Sequence, residues 1–589
     1  SYSSDPIPHF INESITILLM LFSKLAEYFE QLEETSSRLI LIDILSQLFD
    51  EVKADEIGQV VYLLQGRVAP FYEPIEIGMS EKLVAASLAR AYGVTKEQIL
   101  KEFGKLGDLG LVAQRLSAKG KVQSAKLSVE EVFKTLTEIA KTSGEGTVEK
   151  KVSMLAGRLQ KVDGVGAKHL VRIPIGVSRL GIGDPTILDG FAQSKLGDRK
   201  KRKELEGAYN RISDLGLIGE VLWSKGLRGV QGLDITVGRP IRSQLAERLP
   251  DPKTILEKFG GAAHIQQKFD GFRVQIHKDG DKVRLFSRNL EETTPMFPEI
   301  IKGVLSQVKA KSAILDSEAL AFNPESEEFL PFQETTKRRR KYDIEAMAAK
   351  LPLKAFVFDI MYLNGKSLMD LPLEARIKKL ESSVKGDEVL ISQPGEITDS
   401  PDRIQELFDD ALTKGLEGLI VKRPDSKYEA GGRNFNWVKL KRHSNGELQD
   451  TIDCVILGYI FGKGKRSSFG AGALLVGVYD ESKDEFVTVS KIGTGLTDEE
   501  WREIHKRSDK IKVDHKPARV NSIMTPSVWI EPKIVIEVLA DEITKSPTHS
   551  AQYALRFPRL VKFREADKKA EDATTVKELI EMYKLQFKK

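Results

Sequence analysis

The spacing of apolar residues changes twice along the chain. Up to about residue 235, apolar positions recur at helical spacing and strand-like alternation is scarce. From 236 to 445 the pattern predicts strands among helices, with strands at 272–277, 283–287, 355–361 and 419–422. From about 450 to 566 strands dominate, and we expect them at 453–459, 473–479, 486–492 and 534–538.

These changes predict a multidomain protein. We place an all-α domain at 1–235, an α+β domain at 236–445, and a β-barrel domain with a C-terminal helix at 446–589. Short strands with glycine-rich turns in a segment of that size are typical of a small barrel. A chain of 589 residues is also too long for one hydrophobic core.

Two segments of the N-terminal region resemble each other, Gly107–Val112 and Ser213–Ile218. They indicate either two similar helical halves packed together or a coincidence between two helix caps. The glycine pairs in Gly144–Gly146 and Gly181–Asp184 mark turns. Amides at a helix start can bind phosphate there, or the glycines are ordinary helix ends.

Composition adds limits on partners and compartment. Hydrophobic residues at 41% and charged residues at 30% describe a soluble globular protein. A net charge of +4 is modest, so a DNA-binding surface must come from local clusters. Two basic runs are candidates: 462–466, where a solvated turn is the alternative, and 337–341, where we favour contact with a DNA backbone.

Cys454 is the only cysteine, which excludes a disulfide framework and a multi-cysteine zinc site and fits a reducing compartment. The apolar run Ile15–Phe22 is too short for a bilayer, which needs roughly 20 such residues. No secretory cleavage pattern follows it. We therefore expect a cytoplasmic protein without a membrane partner.

The candidate chemistry centres on Lys268, in the pattern Lys-x-Asp-Gly-x-Arg that ends at Arg273. A lysine amine is protonated at neutral pH, so a nucleophilic lysine needs neighbouring cations or a metal that lower its pKa. Lys422, Lys439, Lys441 and Arg273 are the candidate cations. An amine activated in this way can attack a nucleotide α-phosphate and expel pyrophosphate.

Further motifs follow in order, and the series resembles the ATP-dependent DNA ligases of the archaeal and eukaryotic replicative type over nearly the whole chain. The six segments that carry the resemblance are 268–273 (KFDGFR), 315–318 (LDSE), 355–359 (AFVFD), 417–422 (EGLIVK), 437–441 (WVKLK) and 555–559 (LRFPR). Each segment alone is weak evidence. Six segments in the right order are strong evidence, because independent chance matches would have to multiply. The resemblance implies a helical DNA-binding domain, a nucleotidyltransferase domain and an OB-fold barrel.

The resemblance also implies roles for individual residues. Lys268 matches the adenylated lysine, and Phe358 matches the ring stacked on adenine. The other matches are Gln266 at the adenine amine, Arg273 and Arg288 on the nucleotide and the nick phosphate, Glu318 on the ribose, Glu417 near the metal, Arg433, Lys439 and Lys441 around the phosphates, and Arg556 and Arg559 at pyrophosphate. We add Lys422 to the nucleotide-binding set and Glu318 to the metal ligands.

Several of these residues have a structural alternative. Phe358 can be plain core, since Phe356 and Ile360 alternate with it along one strand. Glu318 and Glu417 can serve only as ion-pair partners, and Arg433 can decorate a turn.

Two departures from the family pattern stand out. Gln266 replaces the usual glutamate, and a neutral amide that both donates and accepts predicts weaker discrimination against guanine. The segment Arg564–Lys568 is one residue longer than the usual Arg-x-Asp-Lys spacing, so Asp567 and Lys568 receive no role.

The mechanism implied is transfer of AMP from ATP to Lys268, then to the 5′-phosphate of a nick, and finally its release as the 3′-hydroxyl attacks. Mg²⁺ is the expected ion, with Mn²⁺ as a substitute, because carboxylates and phosphates are hard ligands. Nicked duplex DNA is the expected partner, held with little sequence preference. We also predict a monomer, name a sliding clamp as a candidate partner, and expect the barrel to swing about connectors near 236–250 and 442–452.

Three other functions are alternatives to an ATP-dependent DNA ligase. An NAD-dependent ligase carries a four-cysteine zinc module that one cysteine cannot build. An RNA ligase or messenger-RNA guanylyltransferase uses the same motifs on another acceptor, and the large helical N-terminal part argues for DNA. A non-catalytic DNA-binding or scaffold protein descended from a ligase is disfavoured because Lys268, both glutamates and the motif lysines are present.

Overall fold

The computed structural model describes residues 19–118, 127–322, 330, 335, 337–338, 342–413, 416–441, 450–461, 470–493 and 496–586. The chain divides into two compact units. The described residues of 19–30, 51–68 and 77–178 form one, which we call the helical unit. The described residues of 31–50, 69–76 and 179–586 form the other, the catalytic unit.

The predicted helical character up to about residue 235 is confirmed. The helices are α1 (Phe22–Glu33), α2 (Arg38–Glu51), α3 (Ile57–Leu64), α4 (Glu81–Tyr92), α5 (Lys96–Leu106), α6 (Leu109–Ser117), α7 (Val129–Lys141), α8 (Thr147–Leu159), α9 (Gly164–Ile175), α10 (Asp184–Leu196), α11 (Arg202–Ile212) and α12 (Leu215–Gln231), with a 3-10 turn at Arg199–Lys201. Helices α3 to α9 lie in the helical unit; α2 and α10 to α12 lie in the catalytic unit.

The two similar segments of the N-terminal region form the same kind of helix junction. Gly107 and Ser213 end α5 and α11 in the left-handed conformation. Asp108 and Asp214 then cap the next helix by accepting hydrogen bonds from Gly110 N and Leu217 N. The two segments are therefore alike because each contains the same kind of helix end followed by the same kind of helix cap.

The glycine pairs precede helices rather than ending them. Gly146 is the N-cap of α8, and Gly183 is the N-cap of α10. Within the catalytic unit the start of α10 is covered, because a Cβ on Gly181 would lie 2.8 Å from the Ala518 side chain and one on Gly183 would lie 2.9 Å from Arg519.

The predicted middle strands are confirmed and form two sheets. The strands are β1 (Leu245–Arg248), β2 (Ala263–Lys268), β3 (Phe272–Asp279), β4 (Lys282–Ser287), β5 (Ser312–Ala321), β6 (Leu353–Leu363), β7 (Lys366–Ser367), β8 (Leu390–Ser392), β9 (Glu396–Thr398), β10 (Gly418–Lys422) and β11 (Arg433–Lys441). One sheet has the order β1-β11-β10-β2-β9, and the other has the order β4-β3-β5-β6-β7 with β8 paired to β6.

Helices pack on both middle sheets. They are α13 (Pro252–Phe259), α14 (Pro298–Gln307), α15 (Ile344–Lys350), α16 (Leu373–Ser383) and α17 (Pro401–Thr413), with a 3-10 turn at Thr294–Met296. Each sheet has its own core. Ile265, Leu419 and Val438 are buried against α13 and α17 under the first sheet, and Val274, Leu315 and Val357 are buried under the second.

The C-terminal strands form a third sheet. They are β12 (Ile452–Ile460), β13 (Ala473–Asp480), β14 (Glu485–Ile492), β15 (Lys512–Val513), β16 (Val520–Asn521), β17 (Val528–Ile530), β18 (Val535–Leu539), β19 (Glu542–Lys545), β20 (Tyr553–Arg556) and β21 (Arg559–Phe563). The eight-stranded order β15-β17-β12-β13-β14-β16, with β18 joining β12 to β21, makes a half-barrel, and β19 pairs with β20. Helices α18 (Asp498–Asp509) and α19 (Val576–Leu585) and a 3-10 turn at Ala570–Asp572 complete it. The predicted fold class, with a barrel consistent with an OB-fold, is confirmed.

In the basic run 337–341, Arg338 does not lie at the surface as expected. Arg338 is 2% exposed, and its guanidinium forms an ion pair with Glu299 at 2.8 Å. The expectation that this arginine contacts a DNA backbone is wrong, because its charge is already paired in the interior. Residues 339–341 and the loop 462–466 lie outside the described residues. Within the described ranges, no helix has both the length and the apolar character that a bilayer span requires.

Candidate functional site

A cavity in the catalytic unit gathers nearly all the predicted site residues. Its wall includes Gln266, Lys268, Arg273, Arg288, Glu318, Phe358, Glu417, Lys422, Arg433, Lys439 and Lys441. Arg556 and Arg559 are the predicted residues that do not line it. Predicted residues as far apart in sequence as Gln266 and Lys441 therefore share one wall.

Strand register explains why the motif residues meet. Neighbouring strands β2, β10 and β11 run antiparallel, so residues two apart along each strand face the same side. The opposed residues form three rows: Lys268 with Gly418 and Lys441, Gln266 with Ile420 and Lys439, and His264 with Lys422 and Trp437. The two-residue spacing of the lysines in 437–441 thus places both on the cavity face.

The turn after Lys268 depends on a close backbone approach. A Cβ on Gly271 would lie 2.4 Å from the Ala319 carbonyl oxygen, which only glycine avoids. This approach brings β3 onto β5, where Arg273 pairs in register with Glu318. The glycine of the Lys-x-Asp-Gly-x-Arg pattern therefore lets the chain after Lys268 pass close to the strand that carries Glu318.

Lys268 lies in an environment that favours its neutral form. Burial, the largest cause, and the nearby Lys441 cation lower the pKa of the Lys268 amine to about 7. Its Nζ donates a hydrogen bond to a Glu417 carboxylate oxygen, which lies 3.7 Å from Lys441 Nζ. A large fraction of the amine is therefore unprotonated near neutral pH, and a carboxylate is in contact with it. We call Lys268, Glu417, Lys441, Lys439 and Arg433 the charged end of the cavity.

Two acids in the second motif have different surroundings. Asp316 is fully buried and accepts two hydrogen bonds from Arg273, at 3.0 and 2.6 Å, and one from Tyr428 Oη at 2.8 Å. Glu318 lines the cavity and accepts from Gly271 N at 3.2 Å. Burial raises the pKa of Glu318 to about 7, opposed by Lys268 and Arg273. Asp316 thus fixes Arg273, and Glu318 is the acid presented to a ligand.

The opposite part of the wall is aromatic. Phe358 is half-buried and lines the cavity, whereas Phe356 is 5% exposed and stacks on Phe269 at 3.9 Å. The Trp437 and Phe358 rings meet edge to face, with their centroids 6.1 Å apart. Lys422 Nζ lies 3.9 Å from the Trp437 ring centroid, and burial lowers the pKa of this amine to about 7. We call Gln266, Phe358, Lys422 and Trp437 the aromatic end.

Paired charges support the aromatic end from behind. Asp359 and Arg376 are both fully buried and form two parallel hydrogen bonds, at 2.8 and 3.0 Å. The Arg376 guanidinium beside Asp359 holds the pKa of that carboxyl below its ordinary value, against the effect of burial. Asp359 in the third motif is therefore structural.

Comparison with known proteins gives matches along most of the chain. Residues 243–441 match the family model for the ATP-dependent DNA ligase domain, 21–192 the DNA ligase N terminus, and 467–568 the ATP-dependent DNA ligase C-terminal region. A probable DNA ligase of Dictyoglomus turgidum is 48% identical over 577 residues, which is 97% of this chain and 98% of that protein. The chain belongs to the ATP-dependent DNA ligase family.

Archaeal proteins are also similar to this ligase. The DNA ligase of Sulfolobus acidocaldarius is 39% identical over 97% of this chain and 99% of that protein. The DNA ligase of Nitrosopumilus maritimus is likewise 39% identical over 97% of this chain. The solved structure Pmar-Lig_Pre is 18% identical to this chain. The match covers 92% of this chain and 99% of that chain, with a TM-score of 0.43.

Acids from the C-terminal part of the ligase lie beside cations of the cavity wall. Arg433 forms an ion pair with Glu578 of α19, which raises the pKa of the Arg433 guanidinium against the effect of burial. Burial and Arg248 lower the pKa of Lys439 well below its ordinary value. Arg288 Nη2 lies 3.7 Å from an Asp572 carboxylate oxygen.

The segment after the last motif of the ligase, rather than the motif itself, supplies residues to the cavity wall. Side chains alternate along β21, so Arg559 is exposed and pairs with Asp541 while Lys562 faces Asp270 at 3.2 Å. Arg564, Asp567 and Lys568 line the cavity. Their longer spacing is accommodated by a turn in which Arg564 pairs with Asp567 at 2.6 Å.

Other lining residues of the ligase were also missed: Arg248, Asp453, Glu537, Asp572 and Glu578. Asp453 pairs with Lys568, and Glu537 pairs with Arg564 at 2.7 Å. The capping box that starts α19, Thr575 with Glu578, is a readable sequence signal for a helix start. Nothing in that pattern tells that Glu578 is also the partner of Arg433.

The donor set suits a hard divalent ion. Glu318 and Glu417 are the predicted ligands, and both lie close to Lys268: Glu417 by contact and Glu318 by its effect on the pKa of that amine. Carboxylate oxygens match the ligand preference of Mg²⁺, and Mn²⁺ accepts the same oxygens. These residues therefore fit the group that the family implies.

Proposed function

We propose that this ligase seals 5′-phosphate/3′-hydroxyl nicks in duplex DNA through a Lys268–AMP intermediate and an adenylated DNA intermediate. The observation that carries the proposal is the Lys268 amine, with a pKa of about 7, in a cavity lined by Lys439, Lys441 and Glu417. An amine that is about half neutral near pH 7 can act as a nucleophile.

In the first transfer, Lys268 Nζ attacks the α-phosphorus of ATP. The N–P bond forms, the bond from that phosphorus to the bridging oxygen breaks, and pyrophosphate leaves with the electron pair. Glu417, in contact with the amine, holds the proton that the attacking nitrogen gives up. The AMP then passes to the 5′-phosphate of the nick, and attack by the 3′-hydroxyl expels it.

The predicted site residues have the following roles in these transfers. Phe358 stacks on the adenine, and Glu318 accepts from the ribose hydroxyls. Arg273, Arg288, Lys422, Arg433, Lys439 and Lys441 hold the nucleotide and its phosphates, with Arg559 joining them at pyrophosphate after a movement of the barrel. Glu318 and Glu417 would hold Mg²⁺, which supplies charge neutralisation at the transferring phosphate when bound. Fixed cations stabilise the charge that develops on the phosphate oxygens.

Movement of the barrel is supported by the exposure of Arg559, which pairs with Asp541 on its own domain. The proposed connectors are the segments near 236–250 and 442–452, and residues 442–449 of the second lie outside the described residues. We infer that Arg564 leaves the cavity, and that Lys562 leaves Asp270, when DNA enters, since a nick must reach Lys268. Replication, repair and recombination roles, a cytoplasmic location, a monomeric state and a clamp partner stay predictions.

The test is formation of a labelled protein–AMP adduct from ATP labelled at the α-phosphate, followed by sealing of a nicked duplex. The wild-type chain should form an adduct that is stable to alkali and labile in acid, and should then join the nick. Lys268→Ala should form no adduct, whereas Lys427→Ala, a change of an exposed lysine paired with Asp370, should behave as wild type. Sealing of unactivated ends by Lys268→Ala would contradict the proposal.

A further inference from the structure

The turn between β13 and β14 carries four acids and one lysine within residues 480–485 (DESKDE). We call this segment the acidic turn. Its composition predicts a turn that faces water, since aspartate and glutamate are almost never fully buried unless they are paired. Asp484 is nevertheless 1% exposed. The contacts that bury this carboxylate therefore decide what the turn does.

The barrel itself holds one oxygen of the Asp484 carboxylate. Tyr479 Oη donates a hydrogen bond to Oδ1 at 2.9 Å, and Arg519 Nη2 donates to the same atom at 2.6 Å. Asp484 has a φ of +53°, in the left-handed region that aspartate adopts more readily than most residues. These contacts fix the carboxylate in the turn and leave Oδ2 for a donor from another part of the chain.

That donor lies at the start of α10. Thr186, the third residue of this helix, is 1% exposed and donates from Oγ1 to Asp484 Oδ2 at 2.9 Å. The first turn of a helix attracts anions, because its amides and the helix dipole give it a partial positive charge. The barrel also covers the glycines before this helix, Gly181 and Gly183. A carboxylate of the barrel therefore lies where a helix start favours an anion such as a phosphate.

A second acid of the acidic turn lies beside the charged end of the cavity. Glu481 Oε1 is 3.7 Å from Arg433 Nε, and the Glu481 side chain is 49% exposed. Arg433 Nε has no hydrogen-bond partner among the residues that the structure describes. An ion pair with so exposed a partner contributes little to stability, so the Arg433 donor remains open to a better acceptor. The acidic turn thus contacts two sites that favour anions, the start of α10 and Arg433.

The contact with α10 also carries a repulsion. Asp189, three residues beyond Thr186 on this helix, is 5% exposed. Burial raises the pKa of the Asp189 carboxyl against the effect of Arg38 and Arg202. The nearby Asp484 charge raises this pKa further. Two like charges therefore lie near each other while the turn is docked. A contact that combines attraction with repulsion is weak enough to be exchanged for a ligand.

We propose that the acidic turn is an autoinhibitory lock, which covers α10 and Arg433 in the absence of DNA and is displaced when nicked DNA binds. The proposal rests on the proposed function and deepens it, because it concerns how the same chain admits DNA. Phosphate oxygens are charged acceptors like the two carboxylates, so DNA competes with Asp484 and Glu481 for the same donors. Only the unlocked fraction of the chain binds DNA, so the measured Kd is raised in inverse proportion to that fraction.

The first experiment measures, by fluorescence anisotropy, the Kd of the full chain for a nicked duplex whose 3′-dideoxy end cannot be sealed. Asp484→Asn keeps an oxygen for the two barrel donors but removes the charge that lies at α10. It should bind the duplex about 3- to 10-fold more tightly than wild type, since a larger fraction of the chain is unlocked. Asp480→Asn is the matched control, because it makes the same change of net charge at an acid that bonds within the turn, to Ser482 and Lys483. Its Kd should stay within about 2-fold of the wild-type value.

The second experiment holds the acidic turn against α10. Thr186→Cys combined with Asp484→Cys places one thiol on each side of the contact, and dibromobimane joins thiols that lie close to each other. Cys454, the one native cysteine, is buried and does not compete for the reagent. The cross-linked chain should bind the nicked duplex at least about 10-fold more weakly than the same double variant before cross-linking, which is its control.

The outcomes separate the two claims. The proposed function fails if the wild-type chain forms no adduct at Lys268 or binds no nicked duplex. The function stands and the lock is overturned if Asp484→Asn binds DNA no more tightly than Asp480→Asn. The lock is also overturned if no cross-link forms, or if the double variant binds DNA equally well before and after cross-linking. Because the cross-linking experiment does not use Asp484→Asn, the lock remains testable even if that variant fails to fold.

Discussion

At the aromatic end of the cavity the charges are paired behind the wall, whereas at the charged end they lie in the wall itself. Asp359–Arg376 is a buried pair that bonds within residues 243–441, the part that matches the ATP-dependent DNA ligase domain. Arg433 at the charged end bonds instead to Glu578, an acid from the C-terminal helix. The first arrangement fixes a surface, and the second can be exchanged for phosphate oxygens without unfolding the domain.

The largest effect should come from breaking a pair behind the aromatic end. Asp359→Ala leaves the Arg376 guanidinium buried without its carboxylate, and removing one partner of a buried pair destabilises by about 3–5 kcal/mol. Urea unfolding followed by tryptophan fluorescence measures the loss. Asp370→Ala, which removes the partner of the exposed Lys427, should change stability little. Equal effects of the two substitutions would contradict the distinction between fixed and exchangeable pairs.

A change at the charged end should affect chemistry more than stability. Lys439→Met removes a half-buried amine that a bound triphosphate would keep charged, and should lower the rate of adduct formation by about 10²- to 10³-fold, since positioned cations stabilise the transferring phosphate. Single-turnover adduct formation at saturating ATP gives the rate, and urea unfolding shows whether the fold is retained. A loss of less than fivefold would mean that Lys439 does not act on the phosphates.

The pH dependence of adduct formation tests the Lys268 environment. The reactive amine is the deprotonated form, so the rate should rise about tenfold per unit below its pKa of about 7 and level off above pH 8. Burial raises the pKa of Glu318 to about 7, so this acid becomes charged over the same range, and its negative charge raises the pKa of Lys268 and shifts the rise to higher pH. Stopped assays from pH 5.5 to 9 suffice. A rate that still climbs tenfold per unit at pH 9 would indicate an ordinary lysine.

Ionic strength should give the smallest effect and the clearest contrast between the two ends. Salt screens the attraction between the charged end and the triphosphate, so KM for ATP should rise about 2- to 5-fold between 50 and 500 mM salt. The ratio of ATP to GTP use should stay constant, since Gln266, the residue predicted at the adenine amine, carries no charge. A ratio that changes with salt would place charge in the recognition of the base.

Much of this architecture could be read from the chain because local patterns determine it. Alternation predicts β3, β6, β12, β13 and β14 close to their observed bounds, and ordered motifs with two-residue spacings predict which side chains share a face. Partner choice is harder to read. The burial of Arg338 against Glu299 and the pairing of Arg433 with Glu578 depend on segments far apart in sequence. The orientation of the Gln266 amide depends on two main-chain carbonyls, which no residue type reveals.

The rows formed by β2, β10 and β11 also limit how this enzyme can vary. Deleting one residue within any of the three strands would turn the following side chains to the opposite face, since strand side chains alternate with a period of two. Such a deletion in β11 would swing Lys439 or Lys441 into the apolar layer under α13 and α17. Changes in length are therefore tolerated in the connections between these strands, and natural or designed variants should place their insertions there.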